Sequence, residues 1–316
     1  MTAASFSAVT KGELARVLGE RPCCLLSELA GLAGVAGRVT EEKGVRRLEI
    51  RTENAAVARK VFKLAKEVDR FAGEISIRKH NRLNKNGYVV VVRGGENLAS
   101  ALRLLGCLDG GGRRRDGIKK GLVNRDCCRR AYLRGAFLAR GSLSGPASAY
   151  HLEIPVRGEL DARGLVDLME RLGVEGRIGH RKRAPVVYIK ESEQISRCLN
   201  VMGAHTTLLH FENLRIYKEM RNRVNRLVNC DTANVNKAVD AGVRQQENVK
   251  LVVDTLGLAS LPSPLREIAG LRLAHPGASL RELGELARPP LTKSCVNHRM
   301  RRLESLAQAL RRERDE

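Results

Sequence analysis

The sequence predicts an α+β fold in which a duplicated αββαββα unit precedes an all-helical C-terminal domain. Three observations support this prediction. Motifs in the first two thirds of the 316 residues recur at an offset of 104 positions, each copy alternates helical and strand periodicity, and the chain becomes wholly helical after about residue 210. The length accommodates two or three domains, each with a core of its own.

The internal repeat is visible as shared motifs at a fixed spacing. An offset of 104 residues superposes the Cys-Cys pair at 23–24 on the pair at 127–128, and Leu-Glu-Ile at 48–50 on the same tripeptide at 152–154. A constant offset across several features indicates duplication. The expected boundaries are 1–215 for the first domain, about 20–107 for copy one and about 124–205 for copy two.

Each copy is predicted to run helix, strand pair, helix, strand pair, helix. Asn54 is a candidate N-cap for the middle helix of copy one, and Asn86-Gly87 is a hairpin-turn signal. In copy two, PVVYIK at 185–190 is the corresponding late strand. In copy one we expect helices at 23–34, 54–71 and 96–106, and strands near 45–52, 74–80 and 87–93.

The first helix of each copy carries small residues on one face, in LAGLAGVAG (29–37) and LRGAFLARG (133–141). Glycine lets another backbone approach closely, so these two helices are predicted to cross at the interface between the copies. Their final glycines, Gly37 and Gly141, suit helix ends in the left-handed conformation.

The C-terminal third is predicted to be helical throughout. A helical linker over 216–260 would contain two helices, 213–228 and 234–256, separated by NCDTA, with Asp231 or Thr232 as an N-cap. In the last domain, 261–316, three helices follow one another. Ser279 and Glu282 form a capping box before the second helix, and the tight turn before the third is typical of a helix-turn-helix.

The charge balance points to a polyanionic partner. Lys plus Arg number 57 against 35 Asp plus Glu, a net charge of +22. Aromatic residues make up only 3% and Trp is absent, which favours duplex DNA over single strands and RNA, whose bases stack on aromatic side chains.

Basic residues recur at matched positions of the two copies and between them. Such clusters bind phosphates without reading sequence; the alternative for any one of them is a solvated loop. The phosphate-contact candidates are Arg78, Lys79, Arg82, Lys119, Lys120, Arg181, Lys182 and Arg183, with Lys293 and Arg299 on the last helix.

The last helix has the pattern of a recognition helix. Val296, Met300 and Leu303 are expected to form its buried stripe. Ser, Asn and Arg near the N-terminal half of such a helix can reach base edges in the major groove; the alternative is a helical bundle with a polar face. The base-reading candidates are Ser294, Asn297, His298, Arg301 and Arg302.

The glycine-punctuated helices resemble the helix pair of LAGLIDADG homing endonucleases, whose αββαββα halves form a saddle with its strands on DNA. The positions of that family's metal-holding carboxylates fall on Ala36 and Arg140. Two-metal hydrolysis needs oxygen ligands at both helix ends. We therefore expect a saddle that binds without cutting, with no catalytic residue, metal or cofactor; Asp109 or Asp126 would have to substitute in an active enzyme.

Longer stretches are similar to the WhiA family of bacterial sporulation and cell-division regulators. These are CCRRAYLRGAFLARGSLSGPASAYHLEIP (127–155), NCDTANVNKAVDAGVRQQ (229–246) and the stretch from LPSPLREIAG to MRRLE (261–304). The resemblance covers nearly the whole chain. It implies a degenerate LAGLIDADG domain joined to a helix-turn-helix, no nuclease activity, and contact with promoter DNA through the last helix. The implied processes are sporulation septation, division and chromosome segregation.

Cysteine usage and hydropathy indicate a cytosolic protein. None of the eight cysteines has CxxC or Cys/His zinc spacing. Neighbouring cysteines are poor disulfide partners and poor joint metal ligands, so we expect reduced, apolar residues. No apolar run approaches the roughly 20 residues that cross a bilayer, and the first residues lack a signal-peptide pattern. The expected location is cytoplasmic, at the nucleoid, without a membrane partner.

The leading hypothesis is a sequence-specific duplex DNA-binding regulator in which the helix-turn-helix reads bases and the saddle adds affinity or binds a protein. Two alternatives stay open. One is an active LAGLIDADG-type homing endonuclease, and the other is a division-associated scaffold that grips a protein partner through the saddle.

Overall fold

The chain forms two compact units, Met1–Lys218 and Glu219–Glu316, each with its own hydrophobic core. This computed structural model describes residues 5–42, 45–68, 74–82, 85–94, 96–145, 149–182 and 184–315. Among the helices so described, none is both long and apolar enough to cross a membrane.

Copy one lies in the first unit behind a short leading helix, α1 (Phe6–Leu14). Its four strands form an antiparallel sheet in the order β1-β2-β4-β3. The elements are α2 (Pro22–Ala36), β1 (Gly37–Glu42), β2 (Val45–Thr52), α3 (Ala55–Glu67), β3 (Glu74–Arg82), β4 (Lys85–Gly94) and α4 (Glu96–Leu104).

Copy two repeats this order and confirms the predicted α+β duplication. Its sheet has the equivalent strand order, β5-β6-β8-β7, although β5 is only two residues long. The elements are α5 (Asp126–Arg140), β5 (Ser142–Leu143), β6 (Leu152–Pro155), α6 (Glu159–Glu170), β7 (Arg177–Arg181), β8 (Ala184–Ile189) and α7 (Ser192–Met202).

Local signals in copy one are partly confirmed. The Asn54 side chain caps α3 as predicted, because its Oδ1 accepts a hydrogen bond from the backbone nitrogen of Ala56 at 2.9 Å. The hairpin prediction at Asn86-Gly87 is wrong. Asn86 pairs with Asn81 inside the β3–β4 ladder, and the chain reverses beyond Arg82.

The two central helices pack backbone to backbone, as the glycines predict. A Cβ at Gly31 of α2 would lie 2.3 Å from the carbonyl oxygen of Tyr132, and one at Gly135 of α5 would lie 2.1 Å from that of Glu28. No side chain fits at either position, because real Cβ contacts are never so short. The crossing joins the copies into one core.

The terminal glycines of these helices serve a different purpose from the predicted one. Gly37 and Gly141 have φ values of −69° and −57°, so neither is left-handed. A Cβ at Gly141 would lie 2.3 Å from the Phe137 ring, and one at Gly37 would lie 2.5 Å from the carbonyl oxygen of Ala33. Crowding, rather than positive φ, therefore excludes a side chain there.

The predicted break between two linker helices is wrong. A single helix, α8 (His205–Leu256), runs for 52 residues, and Asp231 and Thr232 lie exposed in its interior. NCDTA contains neither Gly nor Pro, and polar side chains in solvent cost a helix little. The helix ends at Gly257, which has a φ of +80°.

The second unit places three helices around a small core, as predicted for the last domain. They are α9 (Ser263–Ala274), α10 (Leu280–Leu286) and α11 (Lys293–Asp315). Leu265 and Ile268 of α9, Leu283 of α10, and Val296 and Leu303 of α11 are all buried in this core.

Candidate nucleic-acid interface

Hydrogen bonds fix both the start of α10 and the turn between α10 and α11. Ser279 and Glu282 form the predicted capping box: the Ser279 nitrogen donates to Glu282 Oε2 at 2.7 Å, and the Glu282 nitrogen donates to the Ser279 hydroxyl at 3.3 Å. The Leu291 nitrogen donates to the Gly284 carbonyl at 2.8 Å. A Cβ at Gly284 would lie 2.2 Å from the Leu291 carbonyl oxygen, so only glycine fits this close approach.

One face of α11 holds it in the unit. Val296, Met300 and Leu303 are buried, which confirms the predicted stripe. Arg299, a phosphate-contact candidate, ties α11 to α9: its Nη1 lies 3.0 Å from Glu267 Oε2 and donates to the Pro264 carbonyl at 3.3 Å. This cation is therefore engaged within the protein.

The opposite face of α11 presents most of the base-reading candidates to solvent. Arg301 and Arg302 make no ion pair with any carboxylate among the residues described, so both guanidinium groups are available. Asn297 is half-buried. The exposed members of this face are Lys293, Ser294, His298, Arg301 and Arg302, and we call them, with Asn297, the α11 face.

A second basic surface lies on the side of the copy-one sheet that faces away from its core. Leu48 and Ile50 of β2 point into the core, so their neighbours in sequence point outward. Across the sheet, Arg47 lies opposite Arg93, and both Arg51 and Arg78 lie opposite Val89. The arginines of this outer sheet face are Arg38, Arg47, Arg51, Arg78 and Arg93.

The phosphate-contact candidates of copy one do not all lie on the same side of the sheet. Arg78 lies on the outer sheet face, whereas its neighbour Lys79 alternates to the other side of β3, and both are exposed. Arg82 ends β3, and its side chain lies outside the described part of the structure. Arg47 and Arg93 were missed by a search for basic runs; strand alternation was the signal that could have found them.

Of the copy-two candidates that the structure describes, Arg181 is paired within the sheet, whereas Lys182 is exposed. Arg181 Nη1 lies 3.2 Å from Glu153 Oε1 across the sheet, and Lys182 occupies the hairpin turn with a φ of 47°. Arg183 lies outside the described residues. Between the copies, Lys119 Nζ donates to the Arg103 carbonyl at 3.0 Å, while Lys120 is exposed.

The C-terminal ends of α2 and α5, where the LAGLIDADG resemblance would place metal ligands, are electropositive. Ala36 and Arg140 border a cleft of about 500 Å³. Arg157 reaches the end of α2, donating to the carbonyls of Val35 at 3.3 Å and Ala33 at 3.4 Å. Its cation thus sits at the negative end of the helix dipole.

The described residues that line this cleft bring no pair of carboxylates together. Glu41 is its acidic member, and Arg46 Nε holds that carboxylate at 2.8 Å. Asp109 and Asp126, the carboxylates that would have to replace the missing metal ligands in an active enzyme, both bind other groups of the protein. Asp109 accepts a hydrogen bond from the Arg113 nitrogen at 2.8 Å, and Asp126 pairs with Arg129 at the opposite end of α5.

Family models match about four fifths of the chain. Residues 22–105 match the WhiA N-terminal LAGLIDADG-like domain. Residues 129–221 match the WhiA LAGLIDADG-like domain, and 224–307 match the WhiA C-terminal HTH domain.

Relatives that match over nearly their whole length are also named WhiA. The chain is 55% identical over 305 residues to the "Probable cell division protein WhiA" of Desulforudis audaxviator, covering 96% of this chain and 97% of that protein. It is 51% identical to the protein of that name from Desulforamulus reducens, covering 97% and 96%. The crystal structure of full-length DUF199/WhiA from Thermatoga maritima shares the fold, with a TM-score of 0.58 at 24% identity over 97% of this chain and 99% of that one. The chain belongs to the WhiA family of cell division proteins, with two LAGLIDADG-like copies followed by a helix-turn-helix domain.

Proposed function

We propose that this protein is a sequence-specific duplex DNA-binding transcription regulator that reads promoter sites with the α11 face. The observation that carries the proposal is the exposure of Arg301 and Arg302 on a helix whose other side is buried and whose preceding turn is fixed. Arg binds guanine in the major groove through two hydrogen bonds, while Ser and Asn read other base edges. The working division of the chain is a saddle at 1–215, a linker at 216–260 and a reading domain at 261–316.

The saddle supplies affinity in this proposal. The outer sheet face carries five arginines, and flat basic surfaces bind phosphates by releasing counterions. A protein partner at the saddle is the second candidate, because Glu153 and Glu191 pair with Arg181 and Arg177 on the copy-two sheet. Internally paired charges suit a protein surface better than a phosphate backbone, and the outer sheet face also contains one such pair, with Arg51 Nη2 3.1 Å from Glu49 Oε2. Binding of a protein that persists without DNA and weakens with salt would favour this second role.

The protein acts without nuclease chemistry in this proposal. Arg140 and Arg157 place positive charge at the helix ends, and guanidinium groups repel Mg²⁺ rather than hold it. Supercoiled DNA incubated with the full chain and Mg²⁺ or Mn²⁺ should remain supercoiled. Nicking that depends on the metal and recurs at one site would establish an active endonuclease instead.

The base-reading role is tested by selecting binding sites from a randomised duplex library with the full chain. Arg301→Ala should lower affinity for the selected site by roughly tenfold or more, because one such pair is worth about 1–3 kcal/mol, and should relax preference at one base pair. Arg312→Ala is the matched control, since Arg312 is exposed on the same helix eleven residues further on. If both variants behave alike, α11 does not read bases.

The cellular role we propose is regulation of division, sporulation and chromosome segregation genes by a cytoplasmic protein at the nucleoid. The name of the relatives supports the division part. Genome-wide DNA enrichment with the full chain should give peaks in promoters of such genes, and Arg301→Ala should lose those peaks while keeping diffuse binding. If the peaks are unchanged in the variant, we would conclude that the saddle, and not the α11 face, recognises the DNA sequence.

A further inference from the structure

Four cysteine thiols meet at the N-terminal ends of the two central helices. Cys23 and Cys24 lie in the first turn of α2, and Cys127 and Cys128 lie in the first turn of α5. Their sulfur atoms all lie within 4.8 Å of one another, and Cys127 Sγ and Cys128 Sγ are 4.0 Å apart. The sequence analysis considered each neighbouring pair by itself and expected poor joint metal ligands. The helix crossing brings the two pairs together, so that all four sulfur atoms lie in one cluster.

The cluster has the dimensions of a tetrathiolate metal site. Zinc binds thiolate sulfur at about 2.3 Å in a tetrahedron, which separates the sulfur atoms by about 3.8 Å. The observed limit of 4.8 Å is about 1 Å larger, a difference that small rotations of the side chains remove. Cys24 and Cys128 are buried while Cys23 and Cys127 are half-buried, so an ion would enter from the Cys23 and Cys127 side.

The surroundings favour the thiolate form that a metal requires. Both pairs sit at helix N-termini, where the helix dipole stabilises negative charge. Arg21 and Arg125 are the residues immediately before the two helices.

We propose that Cys23, Cys24, Cys127 and Cys128 form a structural site for one Zn²⁺ ion, with two ligands from each copy of the repeat. The four thiols release their protons to solvent as the four Zn–S bonds form, so no oxidant is needed. All four coordination positions are filled, which makes the site structural rather than catalytic. The ion would link the N-terminal ends of α2 and α5. Ala36 and Arg140 lie at the C-terminal ends of these helices, about 20 Å away along each helix axis.

The test begins with the full chain purified without chelator and analysed for metal by mass spectrometry. We expect one zinc ion per chain. Of the eight cysteines, the four cluster thiols should resist a thiol reagent until a zinc chelator is added. Replacing zinc with Co²⁺ should give the visible absorption bands of a tetrahedral tetrathiolate, a signature that an apolar role for these cysteines does not produce.

Variants locate the site. Cys24→Ser with Cys128→Ser should reduce bound zinc at least tenfold, whereas Cys230→Ser, at an exposed position in α8, and Cys198→Ser, at a buried position in α7, should each keep one ion. Three results would overturn the proposal: wild-type protein that takes up neither Zn²⁺ nor Co²⁺, zinc retained in the double variant, or a disulfide joining the two pairs in the purified chain. The wild-type measurements decide even if the double variant does not fold.

Discussion

Arg134 of α5 and Glu28 of α2 form a bidentate ion pair inside the core between the repeat copies. Arg134 Nε donates to Glu28 Oε1 at 3.0 Å, and Nη2 donates to Oε2 at 2.9 Å. Lys60 of α3 also pairs with Glu28, and its Nζ donates to the Leu14 carbonyl at 2.8 Å. Copy one thus contributes a carboxylate and an ammonium group, and copy two contributes the guanidinium.

Arg134→Met should destabilise the first unit strongly. The side chain of Glu28 is wholly buried, and the loss of one cation leaves its carboxylate with Lys60 alone. Breaking a buried pair in this way costs about 3–5 kcal/mol. Urea unfolding measures the change. Arg130→Met, at an exposed position on the same helix, should change the free energy of unfolding by no more than about 0.5 kcal/mol. Equal losses of stability in the two variants would mean that the buried ion pair contributes no more than an exposed arginine does.

Gly31→Ala should destabilise the helix crossing. The new methyl group would lie 2.3 Å from the Tyr132 carbonyl oxygen. This oxygen belongs to the backbone of a packed helix, so it cannot move aside as the end of a flexible side chain can. Overpacking of this kind costs about 1–3 kcal/mol and occasionally more.

The matched control for this substitution is Gly12→Ala in α1, where a Cβ meets nothing within 4 Å. Alanine is the better helix former by about 1 kcal/mol, so this variant should be as stable as wild type or more so. Thermal melts of both variants give the comparison. A melting temperature for Gly31→Ala at or above that of wild type would show that the helices can separate to make room.

The helix crossing was predictable from sequence, whereas several contacts around it were not. The repeat offset and the spacing of small residues can be read directly from the sequence, and they predicted both copies and the crossing of α2 and α5. The thiol cluster depends on two residue pairs that lie 104 positions apart and meet only because the helices cross.

Local signals failed where tertiary structure overrode them. Asn86-Gly87 is a strong turn signal, yet pairing with β3 continues through it to Lys85. NCDTA resembles a cap, but the helix runs through it. On α11, by contrast, periodicity alone separated the buried stripe from the exposed Arg301, because a helix packed on one side repeats its environment at a fixed interval.

Glu13 should make stability depend on acid pH. Its carboxylate accepts hydrogen bonds from the Thr206 nitrogen at 2.7 Å and from the Thr207 nitrogen at 2.8 Å, in the first turn of α8. Burial opposes the charge, but these bonds and the Thr207 hydroxyl outweigh it and lower the pKa of Glu13 below its usual value. The folded state therefore binds the proton less readily than the unfolded state does.

A lowered folded-state pKa gives a stabilisation that is complete above the ordinary carboxyl range and disappears as the pH falls through the folded value. Glu13→Gln should therefore be less stable than wild type at neutral pH, and the difference in the free energy of unfolding should shrink toward zero in acid. Urea unfolding at a series of pH values measures it. Glu20→Gln, at an exposed position, should show no such convergence, and a pH-independent deficit in Glu13→Gln would assign the effect to lost packing.

The outer sheet face should contribute to DNA binding through charge alone. Arg51 and Arg78 are exposed and lie on strands β2 and β3, on either side of Val89 in β4. If each binds a phosphate, replacing both with Gln should weaken binding equally for the selected site and for random duplex. The slope of log K against log salt should fall by about 0.9 for each phosphate that the variant no longer neutralises, which fluorescence anisotropy at several salt concentrations measures.

Lys63→Gln separates this effect from a general loss of charge, because Lys63 is exposed on α3, the helix that covers the other side of the same sheet. It should leave the salt slope unchanged. Arg301→Ala should differ from both, since it removes discrimination between sequences more than it changes the slope. If Arg51→Gln with Arg78→Gln keeps the wild-type slope, the sheet does not lie on DNA, and the saddle is left for a protein partner.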